Sequence, residues 1–202
     1  MLTEERIGTP AAVATRRRPG RRRIVVLGGG TGGTLTANRL HRELGDLVEI
    51  HVVDRDDRHL YQPGLLFVPF GLAKPHEITR TRHEQLRSGI SFHHAAVDSV
   101  SLEDDTVFLE NGSALDYDVL VVATGVVLQP EETEGMTGPG WRERVFTFYS
   151  PDGSEALQGA LERFDGGRLV VNLVDMPIKC PVAPLEFAFL ADWYLRERGI
   201  RS

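Results

Sequence analysis

The chain has 202 residues, a formal net charge of −6 at pH 7 and one cysteine. This length suits one sizeable core, or one domain with part of a second. The net negative charge does not favour binding to nucleic acid. A lone cysteine excludes an internal disulfide framework and a multi-cysteine zinc site. No stretch approaches the roughly 20 apolar residues that span a bilayer.

Arginines crowd the N-terminus at positions 16–18 and 21–23. A twin-arginine export signal would need a separate apolar stretch with a small-residue cleavage site after them. The next apolar residues, 24–27, are instead required for the first strand. We therefore predict a solvated, disordered basic arm over residues 1–22, and the localisation stays open.

A glycine run, Gly28-Gly29-Gly30-Thr31-Gly32-Gly33, follows the apolar residues 24–27. After it, residues 34–44 have a helical pattern that Gly45 closes. Strand, glycine turn and helix is the context in which G-x-G-x-x-G predicts a dinucleotide site. The run is therefore predicted to form the phosphate-binding loop of a βαβ unit.

Three glycines occupy the motif positions, and each has a distinct role. Gly28 allows the tight turn, Gly30 lets the backbone approach a pyrophosphate, and Gly33 lets the helix pack close to the strand. Thr31 and Gly32 complete the loop. The free N–H groups at the helix start then face the phosphates, and the helix dipole favours their negative charge.

The second strand of the unit is predicted over Val48–Asp54, which is apolar and ends in an acid. Asp54 lies 21 residues after Gly33, near the spacing expected for the acid that binds a ribose hydroxyl. An acid here selects a free 2′-OH over a 2′-phosphate. The alternative is an ordinary turn residue at the end of a strand.

Residues 55–75 are irregular and rich in proline and aromatic side chains, so we predict a ligand lining or a packed cover. Residues 78–88 predict a short helix that ends at Gly89. Four strands follow, over 90–94, 96–102, 107–109 and 117–123, with a hairpin turn at Asn111-Gly112. The last is uniformly apolar over Val119–Val122, which is typical of a buried parallel strand, and it leads into Ala123-Thr124-Gly125.

No metal site is predicted. His93 and His94 are neighbours on a strand, so their side chains point to opposite faces and cannot chelate one ion together. The remaining histidines lack a ligand spacing such as H-x-x-x-H.

Residues 129–150 contain a run rich in proline and glycine and are predicted to be a linker. Ser150 and Pro151 then begin a helix to about Phe164, with a hydroxyl N-cap and proline at the first position. Residues 168–174 predict a second buried strand. A helix is predicted over 182–198, with apolar residues at i, i+4 and i+8 spacing, namely Leu185, Phe189 and Trp193.

No glycine fingerprint lies between this second strand and its helix, which argues against tight pyridine-nucleotide binding there. In its place stand Lys179, Cys180 and Pro181. A helix N-terminus and a neighbouring cation both stabilise a thiolate, the nucleophilic form of cysteine, and Glu186 is placed to move protons near the sulfur. Two plainer interpretations remain: Cys180 as a small buried hydrophobe, and Glu186 as a first-turn acid for the helix dipole.

Taken together, residues 23–202 resemble the N-terminal half of sulfide:quinone oxidoreductases, within the two-dinucleotide-fold, FAD-dependent pyridine nucleotide-disulfide oxidoreductase superfamily. The glycine loop and VLVVATG at 119–125 are shared across that superfamily. YQPGLLFVPFG at 61–71 also matches, and PIKCPVAPLEFAFLAD at 177–192 is the specific feature.

The resemblance implies an α/β fold with a Rossmann-like, three-layer FAD-binding domain over 23–128 that carries a small antiparallel insert. A linker at 129–150 then leads to the first β-α unit of a second dinucleotide-binding-like domain at 151–202. The FAD pyrophosphate is expected at the glycine loop and its ribose near Asp54. The resemblance also places the adenine near Val97 and the ribityl chain near Ala123, Thr124 and Gly125.

By the same resemblance, Cys180 is one of two redox cysteines and Glu186 is a proton relay. In that family, sulfide attacks the bridge between the cysteines, and two electrons pass to FAD and then to a quinone. The second cysteine, the quinone pocket and a membrane anchor lie in the C-terminal half of such proteins. We therefore expect a truncated or partial sequence that binds FAD weakly and does not turn over. The full-length form would be peripheral to a bacterial membrane, and a homo-oligomer stays open.

Three other functions remain open at this stage. Two are related flavoproteins: a type II NADH:quinone oxidoreductase and a flavocytochrome c-type sulfide dehydrogenase. The third is a non-catalytic nucleotide-binding or redox-sensing fragment.

Overall fold

The computed structural model describes residues 13–14, 20–174 and 176–201. The chain divides into two compact units, Met1–His59 with Arg80–Val126, and Leu60–Thr79 with Val127–Ser202. Most of the predicted basic arm lies outside the described residues, which include only its positions 13–14 and 20–22.

The described residues contain ten strands and four α-helices. The strands are β1 Val13–Ala14, β2 Arg22–Leu27, β3 Val48–Asp54, β4 Arg58–Leu60, β5 Thr79–Thr81, β6 Ser91–His94, β7 Val97–Ser101, β8 Thr106–Leu109, β9 Ser113–Asp116 and β10 Val119–Val122. The helices are α1 Thr31–Leu44, α2 Arg82–Gln85, α3 Pro151–Arg163 and α4 Ala183–Glu197. Short 3₁₀ turns cover Gly45–Leu47, Gln62–Leu66, Val68–Phe70 and Pro130–Glu132.

A parallel four-stranded sheet, in the order β10-β2-β3-β6, forms the centre of the first unit. Its central pair, β2 and β3, is buried almost throughout because both faces of the sheet are covered. Helix α1 covers one face, where Ala37 packs with Ile24, Val26 and Ile50. The predicted strand, glycine turn and helix are therefore confirmed.

Strand β10 is parallel, as predicted, but it is not buried. In the described part of the chain it pairs only with β2, at the edge of the sheet, and Val119 and Val122 are 44% and 69% exposed. A uniformly apolar run does not distinguish a central strand from an edge strand, because that difference depends on neighbours distant in sequence.

The other face of the central sheet is covered by the predicted antiparallel insert. Strands β7, β8 and β9 form an antiparallel meander, with β1 parallel to β9. The turn at Gly112, which has φ +81°, returns the chain at once, so residues 113–116 pair with β8. The hairpin turn at Asn111-Gly112 is confirmed, but its second strand, Ser113–Asp116, is not among the predicted strands, which resume only at residue 117.

A group of interacting polar side chains is buried in the first unit. Arg23 is fully buried; it donates to Glu49 Oε2 from Nε at 3.3 Å and forms an ion pair with Asp116. Nearby, His51 Nδ1 lies 2.8 Å from His93 Nε2. Burial, followed by the positive charges of His93 and Arg23, lowers the pKa of His51 to about 4, and burial lowers the pKa of His93 as well. The histidine pair is therefore neutral at neutral pH.

The helix predicted over residues 78–88 is wrong in its first half. Residues 79–81 form β5, which pairs with β4, and only the single turn of α2 follows before Leu86 becomes extended. Long-range hydrogen bonds override the local helical pattern here, since Arg82 N–H donates to the Asp57 carbonyl at 3.1 Å.

The second unit is built from α3, α4 and the 3₁₀ turns of residues 62–70. Ser150 caps α3 by accepting a hydrogen bond from Gly153 N–H at 3.2 Å, as predicted. The residues 62–70 form a packed cover: Leu66 and Phe70 pack with Leu157 of α3 and Phe187 of α4. Buried Ser154 ties α3 to this cover by donating to the Leu65 carbonyl at 3.2 Å.

Helix α4 is confirmed, but the apolar stripe that predicted it is exposed. Leu185, Phe189 and Trp193 are 62%, 73% and 43% exposed, whereas Phe187 and Ala191 are buried in the core of the unit. The helix is apolar on more than one side, so periodicity alone does not select the face that packs.

The second buried strand, predicted over 168–174, is wrong. These residues form no described strand, and Val170 and Val174 are 68% and 52% exposed. A parallel strand is stable only beside a partner, and the described residues provide none here. None of the described helices is long and apolar enough to cross a membrane.

Candidate functional site

The glycine loop follows β2 and lies against the carboxyl ends of the parallel strands β3 and β10. Gly28 has φ +96° and donates to the Val53 carbonyl at 2.8 Å. A Cβ at this position would lie 2.3 Å from the Ala123 carbonyl oxygen and 2.9 Å from Thr124 Cα. The structure thus brings the predicted residues Ala123 and Thr124 directly against the loop, and only glycine fits between them.

The other two motif glycines differ sharply in their surroundings. A Cβ at Gly33 would lie 1.8 Å from the Gly28 carbonyl oxygen, so close packing of α1 on the loop requires glycine. A Cβ at Gly30 or Gly32 would meet no atom within 4 Å. Thr31 is also exposed. The loop therefore presents an open backbone surface, which is what close approach of a ligand requires.

The start of α1 suits a negatively charged group. Its first N–H groups have no intrahelical acceptor. The structure describes every residue of its first turn, and none of them carries an acidic side chain. Thr34 Oγ1 donates to the Gly29 carbonyl at 2.9 Å, and His59 Nδ1 lies 3.3 Å from the same oxygen. These contacts hold the loop while the helix dipole favours an anion in front of it.

Asp54 contacts this loop; its role at a ribose hydroxyl stays a prediction. Its Oδ2 accepts a hydrogen bond from Gly29 N–H at 2.8 Å, and the side chain is 14% exposed. The Asp54 carbonyl accepts a hydrogen bond from Ala95 N–H at 2.9 Å. Val97, two residues further on, is half-buried at the start of β7, and Gly125 is exposed with φ +72°.

One residue beside Asp54 was not predicted. Arg82 is 9% exposed, and its Nη1 lies 3.4 Å from Asp54 Oδ2. The sequence contains no signal for this contact, because the two residues are separated by 28 positions and belong to different elements.

Cys180 lies in the second unit, on the turn before α4. Cys180 is exposed and has φ +51°. Its carbonyl accepts a hydrogen bond from Ala183 N–H at 3.0 Å. The interpretation as a buried small hydrophobe is therefore wrong. Burial lowers the pKa of the adjacent Lys179.

Tyr149 is a second residue that the sequence did not reveal. Its hydroxyl donates to the Cys180 carbonyl at 3.3 Å, and its ring stacks on Phe148. Burial raises the pKa of Tyr149, and negative charge at Cys180 and then at Glu186 raises it further. Cys180 and the exposed first-turn acid Glu186 therefore share one electrostatic environment around this phenol.

Among the described residues, no cluster of three or more His, Cys, Asp or Glu side chains is arranged to hold a metal. His93 and His94 lie on opposite faces of β6: His93 contacts His51, and His94 stacks on Phe92.

Comparison with known proteins identifies the family. Residues 22–171 match the model of the pyridine nucleotide-disulphide oxidoreductase family. The mitochondrial sulfide:quinone oxidoreductase of Dictyostelium discoideum is 28% identical over 89% of this chain and 40% of its own length. The mouse enzyme is 27% identical over 88% and 39%.

A solved structure shows the same fold. The sulfide:quinone oxidoreductase of the hyperthermophilic bacterium Aquifex aeolicus superposes with a TM-score of 0.70 at 24% identity, over 89% of this chain and 41% of that one. The chain thus spans about 40% of the length of these relatives. The predicted α/β fold and the resemblance to sulfide:quinone oxidoreductases are confirmed. The chain belongs to the pyridine nucleotide-disulphide oxidoreductase family.

Proposed function

We propose that the chain is the N-terminal part of an FAD-dependent sulfide:quinone oxidoreductase. In this function sulfide is oxidised at Cys180, and its two electrons reach a quinone. The observation that carries the proposal is an exposed cysteine on the turn before α4. It belongs to a chain that is similar to the sulfide:quinone oxidoreductases of Dictyostelium discoideum, mouse and Aquifex aeolicus.

The glycine loop and its neighbours fit FAD. The open surface at Gly30, Thr31 and Gly32 would receive the pyrophosphate, because a Cβ at Gly30 or Gly32 would meet no atom within 4 Å and the first N–H groups of α1 have no intrahelical acceptor. Asp54 would accept from the ribose. Val97 would lie by the adenine, and residues 123–125 by the ribityl chain. When bound, FAD would supply the two-electron acceptor that passes electrons from sulfur to the quinone.

Around Cys180, the protein's own groups favour sulfur chemistry. An exposed thiol can be reached by sulfide, and the thiolate is the reactive form. Cys180 lies on the turn that leads into α4 and follows Lys179 in the chain. Glu186 is placed to take or return protons as the sulfur changes charge, and Tyr149 holds the Cys180 carbonyl. Because quinones dissolve in the bilayer, the active protein would work at a membrane surface.

The cofactor part of the proposal is tested by Gly30→Ala. A new Cβ at Gly30 meets no protein atom, so folding should be unchanged, but it projects into the space assigned to the pyrophosphate. We expect the parent chain, titrated with FAD, to bind it weakly and change the flavin absorption spectrum, and Gly30→Ala to give no such change. Gly159→Ala in α3, whose Cβ would meet only the flexible end of Arg163, is the matched control and should bind FAD as the parent does.

The chemical part is tested by anaerobic addition of sulfide to the FAD-loaded chain. Bleaching of the flavin by sulfide that disappears in Cys180→Ser supports the assignment. Bleaching by NADH but not by sulfide would instead identify a type II NADH:quinone oxidoreductase. A colourless chain that binds only ADP or NAD would indicate a non-catalytic nucleotide-binding function.

A further inference from the structure

The buried guanidinium of Arg82 connects three points at the carboxyl end of β3. Nη1 lies 3.4 Å from Asp54 Oδ2, Nε donates to the Asp56 carbonyl at 2.8 Å, and Nη2 contacts Asp56 Oδ1 at 3.0 Å. The side-chain stem lies against the glycine loop, since a Cβ at Gly29 would lie 2.9 Å from Arg82 Cδ. Arg82 therefore touches both the loop and the acid that ends β3.

We propose that Arg82 is a positioning residue for the adenosine end of the dinucleotide site, acting through Asp54. This inference rests on the cofactor site of the proposed function. The carboxylate has two oxygens with unequal surroundings. Oδ2 accepts from Gly29 N–H and faces Arg82, while Oδ1 receives only a long contact of 3.4 Å from Asp56 N–H. Arg82 thereby fixes one oxygen and leaves the other as the acceptor for a ribose hydroxyl.

The positive charge of Arg82 has a second effect, on the carboxylates that surround the carboxyl end of β3. Asp54, Asp56 and Asp57 put three carboxylates within four positions beside a loop that would bind a dianionic pyrophosphate. Asp57 is paired with His83 Nδ1 at 2.8 Å. Although burial opposes it, hydrogen bonds from Arg58 N–H and from Arg82 lower the pKa of Asp56. Arg82 is the buried cation that offsets Asp54 and Asp56.

The test compares ADP with 2′-deoxy-ADP, using isothermal titration of the full chain. A hydrogen bond from the 2′-OH to a charged acceptor makes the parent prefer ADP by roughly tenfold or more. Asp54→Ala should bind both ligands equally. If Arg82 orients Asp54, Arg82→Gln should reduce the preference to within about threefold. Arg58→Gln, which removes an exposed cation from the neighbouring strand β4, should retain the parent preference.

The ratio between the ligands separates positioning from general damage. A variant that is merely less stable would bind both ligands more weakly at an unchanged ratio, and this result would overturn the inference. Arg82→Lys, which keeps the charge but not the planar fork, decides the question if Arg82→Gln does not fold. A reduced preference in this variant supports positioning, and the parent preference refutes it. Absence of ADP binding by the parent would refute the cofactor site itself.

Discussion

The close approach of Gly33 to Gly28 predicts that alanine destabilises the protein at Gly33 but not at the neighbouring Gly32. In Gly33→Ala the new Cβ would begin 1.8 Å from the Gly28 carbonyl oxygen, so the two must separate by about 1.6 Å to reach ordinary contact at 3.4 Å. Gly28 has little room to retreat, because a Cβ built on it would already lie 2.3 Å from the Ala123 carbonyl oxygen and its N–H is bonded to the Val53 carbonyl. Helix α1 must therefore move away from the strand that it covers.

Gly32→Ala is the matched control. It makes the same chemical change one residue earlier in α1, where a Cβ meets no atom within 4 Å. Alanine stabilises a helix relative to glycine by up to about 1 kcal/mol, whereas overpacking costs about 1–3 kcal/mol. We therefore expect Gly32→Ala to be neutral or stabilised and Gly33→Ala to be destabilised by about 2 kcal/mol net.

Thermal unfolding followed by circular dichroism measures the difference. At this chain length, 1 kcal/mol corresponds to roughly 2–4 °C in Tm, so the two variants should differ by about 5–10 °C. Equal Tm values for Gly33→Ala and Gly32→Ala would refute the reasoning, since they would mean that α1 does not pack on the loop as described.

Three further predictions concern stability and the cysteine site. Burial lowers the pKa of His51 from 6.5 to about 4, so its contribution to stability is complete above pH 6.5 and is lost as the pH falls toward 4. The loss amounts to about 3 kcal/mol of the free energy of unfolding. In urea unfolding at several pH values, His51→Gln should lack this part of the loss of stability at acid pH. A pH dependence of stability equal to that of the parent would contradict the assignment. Because negative charge at Cys180 raises the pKa of Tyr149, Cys180→Ala should lower that pKa in an ultraviolet titration of tyrosinate. Tyr149→Phe identifies the signal, and a pKa that did not change in Cys180→Ala would argue against proximity. Phe187→Ala, in the core of the second unit, should cost about 3–5 kcal/mol, whereas exposed Phe189→Ala should change stability by less than about 0.5 kcal/mol; a reversed order would mean that the other face of α4 is packed.

Several features of this protein could be predicted from short stretches of sequence. The phosphate loop depends on residues that are consecutive in the chain: a strand, glycines at fixed offsets and a helix. The cap of α3 by Ser150 is equally local, and so is the placement of Asp54 at the end of β3. Their physics is contained within one turn or one βαβ unit, so spacing was sufficient. The run around Cys180 indicated the family only through its resemblance to sulfide:quinone oxidoreductases.

The tertiary structure alone decided which surfaces are buried and which distant side chains meet. Residues 168–174 are apolar but have no described neighbour strand, and β10 has a neighbour on one side only. On α4, packing selected Phe187 over Phe189. Arg82 reaches Asp54, and Tyr149 reaches Cys180, across separations that no local pattern encodes. Local sequence determined the glycine loop, α1, α3 and α4, but whether 79–81 and 168–174 form strands, burial and long-range contacts depend on the partner each segment meets in three dimensions.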